Sequence, residues 1–274
     1  MQRHLIALDL DGTTLNSKSQ LASETIATLH QLERAGHIVV IVTGRPYLIS
    51  KHIYDALHLT SPMVNFNGAL THIPHKHWAG EQILNVSREM SLNLLDAKDQ
   101  LGLKTLVAED KLHVWADHPT DMLPEFLPVK LRDDQYLNAK NLATDPIALT
   151  IEFTPEQKTT ILGQIAEHYG NFVEPRIWGG PYDIMELIHR GVHKEDGLDH
   201  VAKFYQIDRQ NIIAFGDEQN DYEMIDYAGR GVAMKNAIPL IKEIADDETE
   251  YDNDHAGVAR YLKAYFAKDL ADLN

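Results

Sequence analysis

The stretch HLIALDLDGT, residues 4–13, joins an apolar segment to two closely spaced carboxylates. The continuous apolar run that ends at Leu8 predicts a strand buried on both faces, as in a parallel sheet. Asp9 and Asp11 follow directly, and Gly12 frees the turn that carries the second carboxylate. Because ligands of open α/β sheets bind at the carboxyl ends of strands, we predict that both carboxylates face one ligand there.

Two carboxylates at a strand end suit phosphoryl transfer. Asp9 would attack phosphorus and form an aspartyl-phosphate. Asp11 would donate a proton to the leaving oxygen and then activate the water that hydrolyses the intermediate. The alternative is an ordinary turn built on the Asp-Gly pair, which is common in proteins.

Four further apolar runs resemble the first. They cover residues 37–42 (HIVVIV), 62–66 (PMVNF), 211–215 (NIIAF) and 231–234 (GVAM). Helical patterns lie between them at residues 23–35, with Ser23 as the predicted N-cap and Gly36 as the end, and at Lys194–Tyr205. This rhythm predicts right-handed βαβ units and an α/β fold with a Rossmann-like parallel sheet.

The middle of the chain has a different pattern. Helical stretches at residues 89–101 and 155–169 alternate with strand-like stretches at 104–107, 112–116, 148–153 and 182–187. We therefore predict a core domain formed by residues 1–82 and 189–274, with an α+β domain, residues 83–188, inserted into it.

Composition excludes several classes of protein. The 274 residues carry a formal net charge of −16 and no cysteine, which excludes disulfides and thiolate metal sites and disfavours nucleic acid as a partner. We find neither a membrane-spanning run nor a signal peptide, so a cytoplasmic protein is expected. A chain this acidic needs local positive charge to bind an anion, and a divalent cation is the simplest source.

The second predicted strand runs into Thr43, Gly44 and Arg45. Thr43 offers a hydroxyl, Gly44 lets backbone N–H groups approach a phosphate, and Arg45 suits phosphate oxygens. Taken alone, the triplet is better explained as a loop that exposes the arginine to solvent.

The strand at residues 211–215 runs into the acidic loop GDEQND. Asp217 at the strand tip suits a hard cation such as Mg²⁺, and Asn220 and Asp221 suit either the ion or its waters. An acidic helix N-terminus is an equally good explanation of the loop. Lys194, ahead of this strand, would neutralise a phosphate, although alone it is better read as a surface lysine.

The order of these features is more specific than any one of them. A carboxylate pair, a hydroxyl, a lysine and an acidic loop follow one another, and this order resembles the four signature motifs of the haloacid dehalogenase superfamily. Within it, the chain is similar to the Cof-type phosphatases over essentially its whole length, including Asn67-Gly68-Ala69 and the Asn236 of VAMKNA. The resemblance implies that the insertion is a cap domain.

The resemblance also implies roles for individual residues. Asp9 would be the nucleophile and a Mg²⁺ ligand, Asp11 the acid/base and a ligand through its carbonyl, and Asp217 the acidic ligand of the fourth motif. The residues expected to bind the substrate phosphate are Thr43, Gly44, Arg45, Lys194 and Asn220. Those expected just behind them are Asn67, Asp221 and Asn236. Glu195, Glu218 and Lys235 stand where the family often has glycine, which leaves fine detail there open.

The expected function is thus a Mg²⁺-dependent phosphatase of small phosphorylated metabolites, such as sugar phosphates or phosphorylated cofactors, acting as a monomer or homodimer. Two alternatives stay open: a phosphomutase on the same fold, and a sensor that binds a phosphorylated metabolite without turnover. A binding-only protein has no use for the second carboxylate, Asp11.

Other features have weaker implications. His72, His75 and His77 have spacing that can bind zinc, but no acidic or cysteine partner is evident in the sequence. Trp178 and Tyr182 are expected to pack within the cap, with a role in specificity as the alternative. The acidic run at residues 246–254 is expected to be a solvated surface segment.

Overall fold

The computed structural model describes residues 2–120, 130–177 and 183–271. Residue contacts divide the chain into two compact units. The first comprises Met1–Arg45, Ser50–Gln82 and His193–Asn274, and the second comprises Pro46–Ile49 and Ile83–Val192. The predicted domain boundaries, after residues 82 and 188, stay a prediction.

The strands are numbered in chain order. They are β1 Leu5–Leu8, β2 Ile38–Val42, β3 Met63–Asn65, β4 Leu70–His72, β5 Gln82–Ile83, β6 Thr105–Glu109, β7 Val114–Ala116, β8 Ala148–Glu152, β9 Val173–Ile177, β10 Ile184–His189, β11 Ile212–Gly216, β12 Arg230–Ala233 and β13 Asp247–Glu248. The α-helices are α1 Ser23–Arg34, α2 Tyr47–Ala56, α3 Arg88–Asp96, α4 Lys98–Leu101, α5 Lys158–Tyr169, α6 Lys194–Tyr205, α7 Tyr222–Tyr227, α8 Pro239–Ile244, α9 Gly257–Tyr265 and α10 Ala267–Ala271.

The larger sheet has the order β13-β12-β11-β1-β2-β3-β4-β5. Its strands run parallel from β13 to β3, and β4 then pairs antiparallel to β3. Every residue of β1 and β2 is buried, as expected for central strands covered on both faces. The predicted α/β fold is confirmed, with the five predicted strands displaced by no more than one residue at either end.

Helix α1 follows the prediction in length but not at its first residue. Ala22 has extended backbone angles and is the N-cap, so Ser23 is already inside the helix and the predicted Ser23 cap is wrong. The helix ends at Arg34, and Gly36 follows with φ of +93°, a left-handed conformation that glycine adopts without strain.

The second unit contains a five-stranded sheet of order β7-β6-β8-β10-β9, in which the paired strands are antiparallel. Alternate residues, among them Leu106, Ala108, Leu149 and Ile151, form its main core together with helices α3 and α5. Strand β9 was not predicted from the sequence; it contains Pro175 and lies at an edge, where a missing N–H is tolerated.

The predicted helix at residues 89–101 is divided into α3 and α4. Ala97 separates them because its ψ of 0° interrupts the helical backbone. No helix in the described part of the chain has the length and apolar character needed to cross a bilayer.

Candidate active site

Neighbouring strands bring Asp9 and Asp217 to the same edge of the larger sheet. Strand β1 lies beside β11, and the backbone N–H of Asp9 donates to the carbonyl of Phe215 at 3.2 Å. Each carboxylate is the first residue after its strand, and both are buried. The sheet order thus joins the first and last of the predicted motifs.

Lys194, at the start of α6, lies between two of the carboxylates. Its Nζ donates to Asp9 Oδ1 and to Asp221 Oδ1, each at 2.6 Å, and the lysine is only 1 % exposed. The interpretation of Lys194 as a surface lysine is therefore wrong. Asp221 also accepts from the backbone N–H groups of Asp217 and Glu218, at 2.9 and 3.1 Å, which fixes its side chain across the loop.

The charges of this group are not balanced. Asp9, Asp217 and Asp221 each offer an oxygen within 4.8 Å of the others, and Lys194 supplies one positive charge among them. Within the ranges the structure describes, these three are the acidic or histidine residues close enough together to hold a metal ion. Burying uncompensated carboxylates is unfavourable, so the group fits an additional cation with a preference for oxygen ligands.

Burial and the excess of negative charge also shift the pKa values of these side chains. Burial raises the pKa of Asp9, an effect that Lys194 opposes and that Asp221 and Asp217 reinforce. Burial and the neighbouring Asp221 raise the pKa of Asp217 to about 7. Burial alone would lower the pKa of Lys194, but Asp221 and Asp9 outweigh it and raise that pKa, so the ammonium stays charged.

The loop after β1 folds tightly against Asp217. Gly12 has φ of +70°, and its Cα lies so close to Asp217 that any Cβ atom would overlap the carboxylate. Thr13 Oγ1 donates to Asp217 Oδ1 at 2.8 Å, and Thr14 Oγ1 donates to the carbonyl of Asp9 at 2.6 Å. Gly12 is therefore required both for its backbone conformation and for the close approach.

Asp11 has a different environment from Asp9. Its side chain is 56 % exposed, and it does not belong to the group of three buried carboxylates. Both of its carboxylate oxygens accept from Arg45, from Nε at 2.7 Å and from Nη2 at 2.5 Å. Arg45, predicted to bind phosphate, thus reaches the predicted acid/base residue.

The remaining predicted phosphate-binding residues line the neighbouring loops. Thr43 is buried, and its hydroxyl accepts from the backbone N–H of Arg45 at 3.1 Å. Gly44 packs against the amide of Asn67, where a Cβ would stand 3.0 Å from Oδ1. Asn220 Nδ2 donates to that same Asn67 Oδ1 at 3.0 Å, so Asn67 connects two of the predicted motifs.

Asn236 contacts the loop that follows β1. Its Nδ2 donates to the carbonyl of Gly12 at 2.7 Å, and its Oδ1 accepts from the backbone N–H of Asn253 at 3.2 Å. Asn253 Nδ2 in turn donates to the carbonyl of Leu15 at 2.9 Å. Asn236 thus contacts the loop that carries Gly12, and its role stays a prediction.

A protein-family model matches most of the chain. Residues 6–262 match the model of a protein family described as haloacid dehalogenase-like hydrolase. The chain belongs to this family. The resemblance inferred from the four motifs is confirmed, and so is the prediction that the chain is an enzyme of the hydrolase class.

Named relatives cover nearly the whole chain. A 5-amino-6-(5-phospho-D-ribitylamino)uracil phosphatase of Bacillus subtilis is 34 % identical over 265 residues, which are 96 % of this chain and 98 % of the relative. The pyridoxal phosphate phosphatase of Escherichia coli is 28 % identical, with 90 % and 93 % covered. A haloacid dehalogenase-like hydrolase of Bacteroides thetaiotaomicron has the same fold, with a TM-score of 0.85, 24 % identity and 97 % and 100 % covered.

Three residues that contact the candidate site of this haloacid dehalogenase-like hydrolase were not predicted from its sequence: Thr13, Thr14 and Asn253. Thr13 is the last residue of the motif at residues 4–13 and Thr14 follows it directly, so their hydroxyls are the available signal. Asn253 lies in the acidic run predicted to be a solvated surface. That prediction is wrong in part, because the run contains β13, buries Thr249 and contacts the loop that follows β1.

Two other features can be placed in part. His72 is buried in β4 and its Nε2 lies 3.2 Å from Asn65 Oδ1, while His75 pairs with Asp55 at 2.6 Å, an acidic partner that the sequence did not reveal. Trp178 and Tyr182 lie outside the described residues.

Proposed function

We propose that the chain is a Mg²⁺-dependent phosphomonoester hydrolase that acts through an aspartyl-phosphate on Asp9. The observation that carries the proposal is the contact of buried Asp9 with Lys194, beside Asp217 and Asp221. A nucleophilic carboxylate must meet an anionic ester, and positive charge held beside it offsets their repulsion.

In the first step, an oxygen of Asp9 forms a bond to phosphorus while the bond from phosphorus to the ester oxygen breaks. Asp11 gives its proton to that departing oxygen. In the second step, Asp11 takes a proton from water and the water oxygen bonds to phosphorus while the bond from phosphorus to the Asp9 oxygen breaks. Inorganic phosphate leaves, and the carboxylate of Asp9 is restored.

The acidic group is proposed as the cation site. Asp9 and Asp217 would hold Mg²⁺ with the carbonyl of Asp11, and Asp221 would hold either the ion or Lys194 alone. The cation would supply charge neutralisation for the phosphate oxygens. Because ligating carboxylates must be deprotonated, the raised pKa of Asp217, about 7, implies that Mg²⁺ binds more weakly as the pH falls below that value.

The phosphate is proposed to bind against Thr43, Gly44 and Lys194, with Asn220 close by. Lys194 touches Asp9 directly, so it would act on the nucleophile and on the phosphate together. Asn67 and Asn236 would keep the loops in place through their contacts with Asn220 and Gly12.

The substrate is proposed to be a small phosphorylated metabolite. The relatives named above act on a phosphorylated ribitylaminouracil and on pyridoxal phosphate, and each is similar to this chain over nine-tenths of its length or more. Residues 83–188 are proposed as the cap domain that selects among such esters. A cytoplasmic location and a monomeric or homodimeric state stay predictions.

The test is a panel of phosphate esters assayed with and without Mg²⁺, for the parent protein, Asp9→Asn and the control Asp226→Asn, an exposed aspartate of the same unit. We expect phosphate release that requires Mg²⁺, is lost in Asp9→Asn and is retained in Asp226→Asn. An isomerised ester without free phosphate would indicate a mutase. Binding of esters without turnover by the parent would indicate a sensor.

A further inference from the structure

Three hydrogen bonds hold the backbone of Arg45, whose side chain contacts Asp11. Its backbone N–H donates to Thr43 Oγ1 at 3.1 Å, and its carbonyl accepts from Asn65 Nδ2 at 2.9 Å and from the backbone N–H of Phe66 at 3.4 Å. The arginine side chain is only 17 % exposed. Its guanidinium is therefore presented from an anchored backbone at the ends of β2 and β3.

The contact between the two side chains is two-pronged. Nε and Nη2 of Arg45 donate to different oxygens of Asp11, at 2.7 and 2.5 Å, which is the parallel pairing that matches a guanidinium to a carboxylate. Such a fork fixes direction as well as distance, which a single ammonium contact does not. The exposed carboxylate of Asp11 thus takes its orientation from the better-buried arginine.

The location of Asp11 suits the leaving group. In an in-line displacement, the departing oxygen lies on the side of phosphorus opposite the attacking oxygen. Asp9 is buried, whereas Asp11 is exposed. The departing oxygen, opposite Asp9, would therefore lie on the solvent side of phosphorus, where Asp11 is. A proton donor there must be held within hydrogen-bond reach of that oxygen.

We propose that Arg45 is a positioning residue for Asp11 that aims the carboxyl at the departing ester oxygen, rather than a ligand of the transferred phosphate. The inference rests on the proposed hydrolase function. In the step concerned, the bond from phosphorus to oxygen breaks and the proton of Asp11 passes to the released oxygen. Arg45 itself exchanges no proton and contacts substrate only through Asp11.

The chemistry of the leaving group distinguishes a positioning role for Arg45 from a role as a phosphate ligand. p-Nitrophenolate departs as a stable anion and needs little protonation, whereas an alkoxide such as that of glycerol phosphate needs the proton of Asp11. The ratio kcat/KM covers only the steps up to departure of the leaving group, so it omits the hydrolysis step that both esters share. A phosphate ligand would affect the two esters equally, because they carry the same phosphate.

The experiment measures kcat/KM for p-nitrophenyl phosphate and for an alkyl phosphate that the parent hydrolyses, with Mg²⁺ saturating. The variants are Arg45→Lys, Arg45→Met, Asp11→Asn and the double variant Asp11→Asn/Arg45→Lys. Arg260→Lys, which alters an exposed arginine paired with Glu24, is the matched control. Thermal unfolding of each variant establishes that it is folded, and Arg45→Lys retains all the backbone contacts of the parent.

We expect Arg45→Lys to lower kcat/KM for the alkyl ester about 10- to 100-fold and for the nitrophenyl ester less than about threefold. The double variant should be no slower than Asp11→Asn alone, because Arg45 would then have nothing to position. Equal losses for both esters would overturn the inference and assign Arg45 to the phosphate, and so would unchanged kinetics. A parent that hydrolyses no ester would instead refute the proposed function.

Discussion

Gly12 packs against the carboxylate of Asp217, with no room for a Cβ atom between them. The two residues follow different strands, β1 and β11, which are adjacent in the sheet. The contact limits how closely the loop of Asp9 and Asp11 can approach Asp217. Thr13 reinforces the contact by donating to the same carboxylate. The glycine is thus part of the site geometry as well as of the turn.

Replacing Gly12 by alanine should disturb both the backbone and Asp217. A left-handed backbone costs a non-glycine residue about 1–2 kcal/mol, and the overlap with Asp217 adds to that cost. We expect Gly12→Ala to lower kcat about 100-fold, since a displacement near 1 Å at a reacting group has an effect of this size. Phosphate release and urea unfolding measure the two effects.

Gly36→Ala is the matched control for this variant. Gly36 also has a left-handed φ, +93°, but nothing lies within 4 Å of its Cβ position. It should show the backbone cost alone, with activity unchanged. An active Gly12→Ala protein, no less stable than Gly36→Ala, would contradict the role given to the contact.

Lys194 should contribute strongly to stability as well as to catalysis. Removing its ammonium with Lys194→Met leaves Asp9 and Asp221 buried without their shared donor. Breaking a buried ion pair in this way costs about 3–5 kcal/mol, so the urea midpoint should fall markedly. Lys203→Met changes a lysine of the same helix, α6, whose side chain is exposed and pairs with Asp199, and it should leave the midpoint nearly unchanged. Similar midpoints for the two variants would refute the prediction.

Glu109 should make the stability of the protein depend on pH. Its side chain is buried on the sheet of the second unit, where Thr150 Oγ1 donates to it at 2.9 Å and Glu186 lies nearby on β10. Burial, reinforced by Glu186, raises the pKa of Glu109 to about 8, from an ordinary value near 4.5. The folded protein therefore holds a proton there that the unfolded chain releases, and this stabilisation is complete below pH 4.5 and lost as the pH rises through about 8.

Glu109→Gln copies the protonated side chain, so it should flatten that decline. The free energy of unfolding, measured with urea from pH 5 to pH 9, should fall less for the variant than for the parent. The difference between the two proteins at pH 9 should be on the order of 3 kcal/mol. Glu167→Gln, which removes the same charge from an exposed position on α5, should keep the slope of the parent. Parallel slopes for the parent and Glu109→Gln would show that this carboxyl is ionised throughout.

Much of the core and its site could be predicted from local sequence. Apolar runs such as residues 38–42 are long enough to be strands and too apolar for a solvated face, so they specify buried parallel strands. A polar residue directly after such a strand must emerge at the sheet edge, which is why the sequence indicates Asp9, Thr43 and Asp217 as candidate site residues. Strand β9 escaped prediction because Pro175 and a half-exposed edge position give it no strong pattern.

The sequence by itself determined which strands are buried and which residues stand at their tips, because both follow from the order of apolar and polar residues along the chain. Only the tertiary structure decided which tip residues meet: Lys194 with both Asp9 and Asp221, Gly12 with Asp217, and Arg45 with Asp11 rather than with solvent. Those contacts depend on strand order and on the direction of each side chain. Both follow from the packing of segments far apart in the chain, which no local pattern encodes.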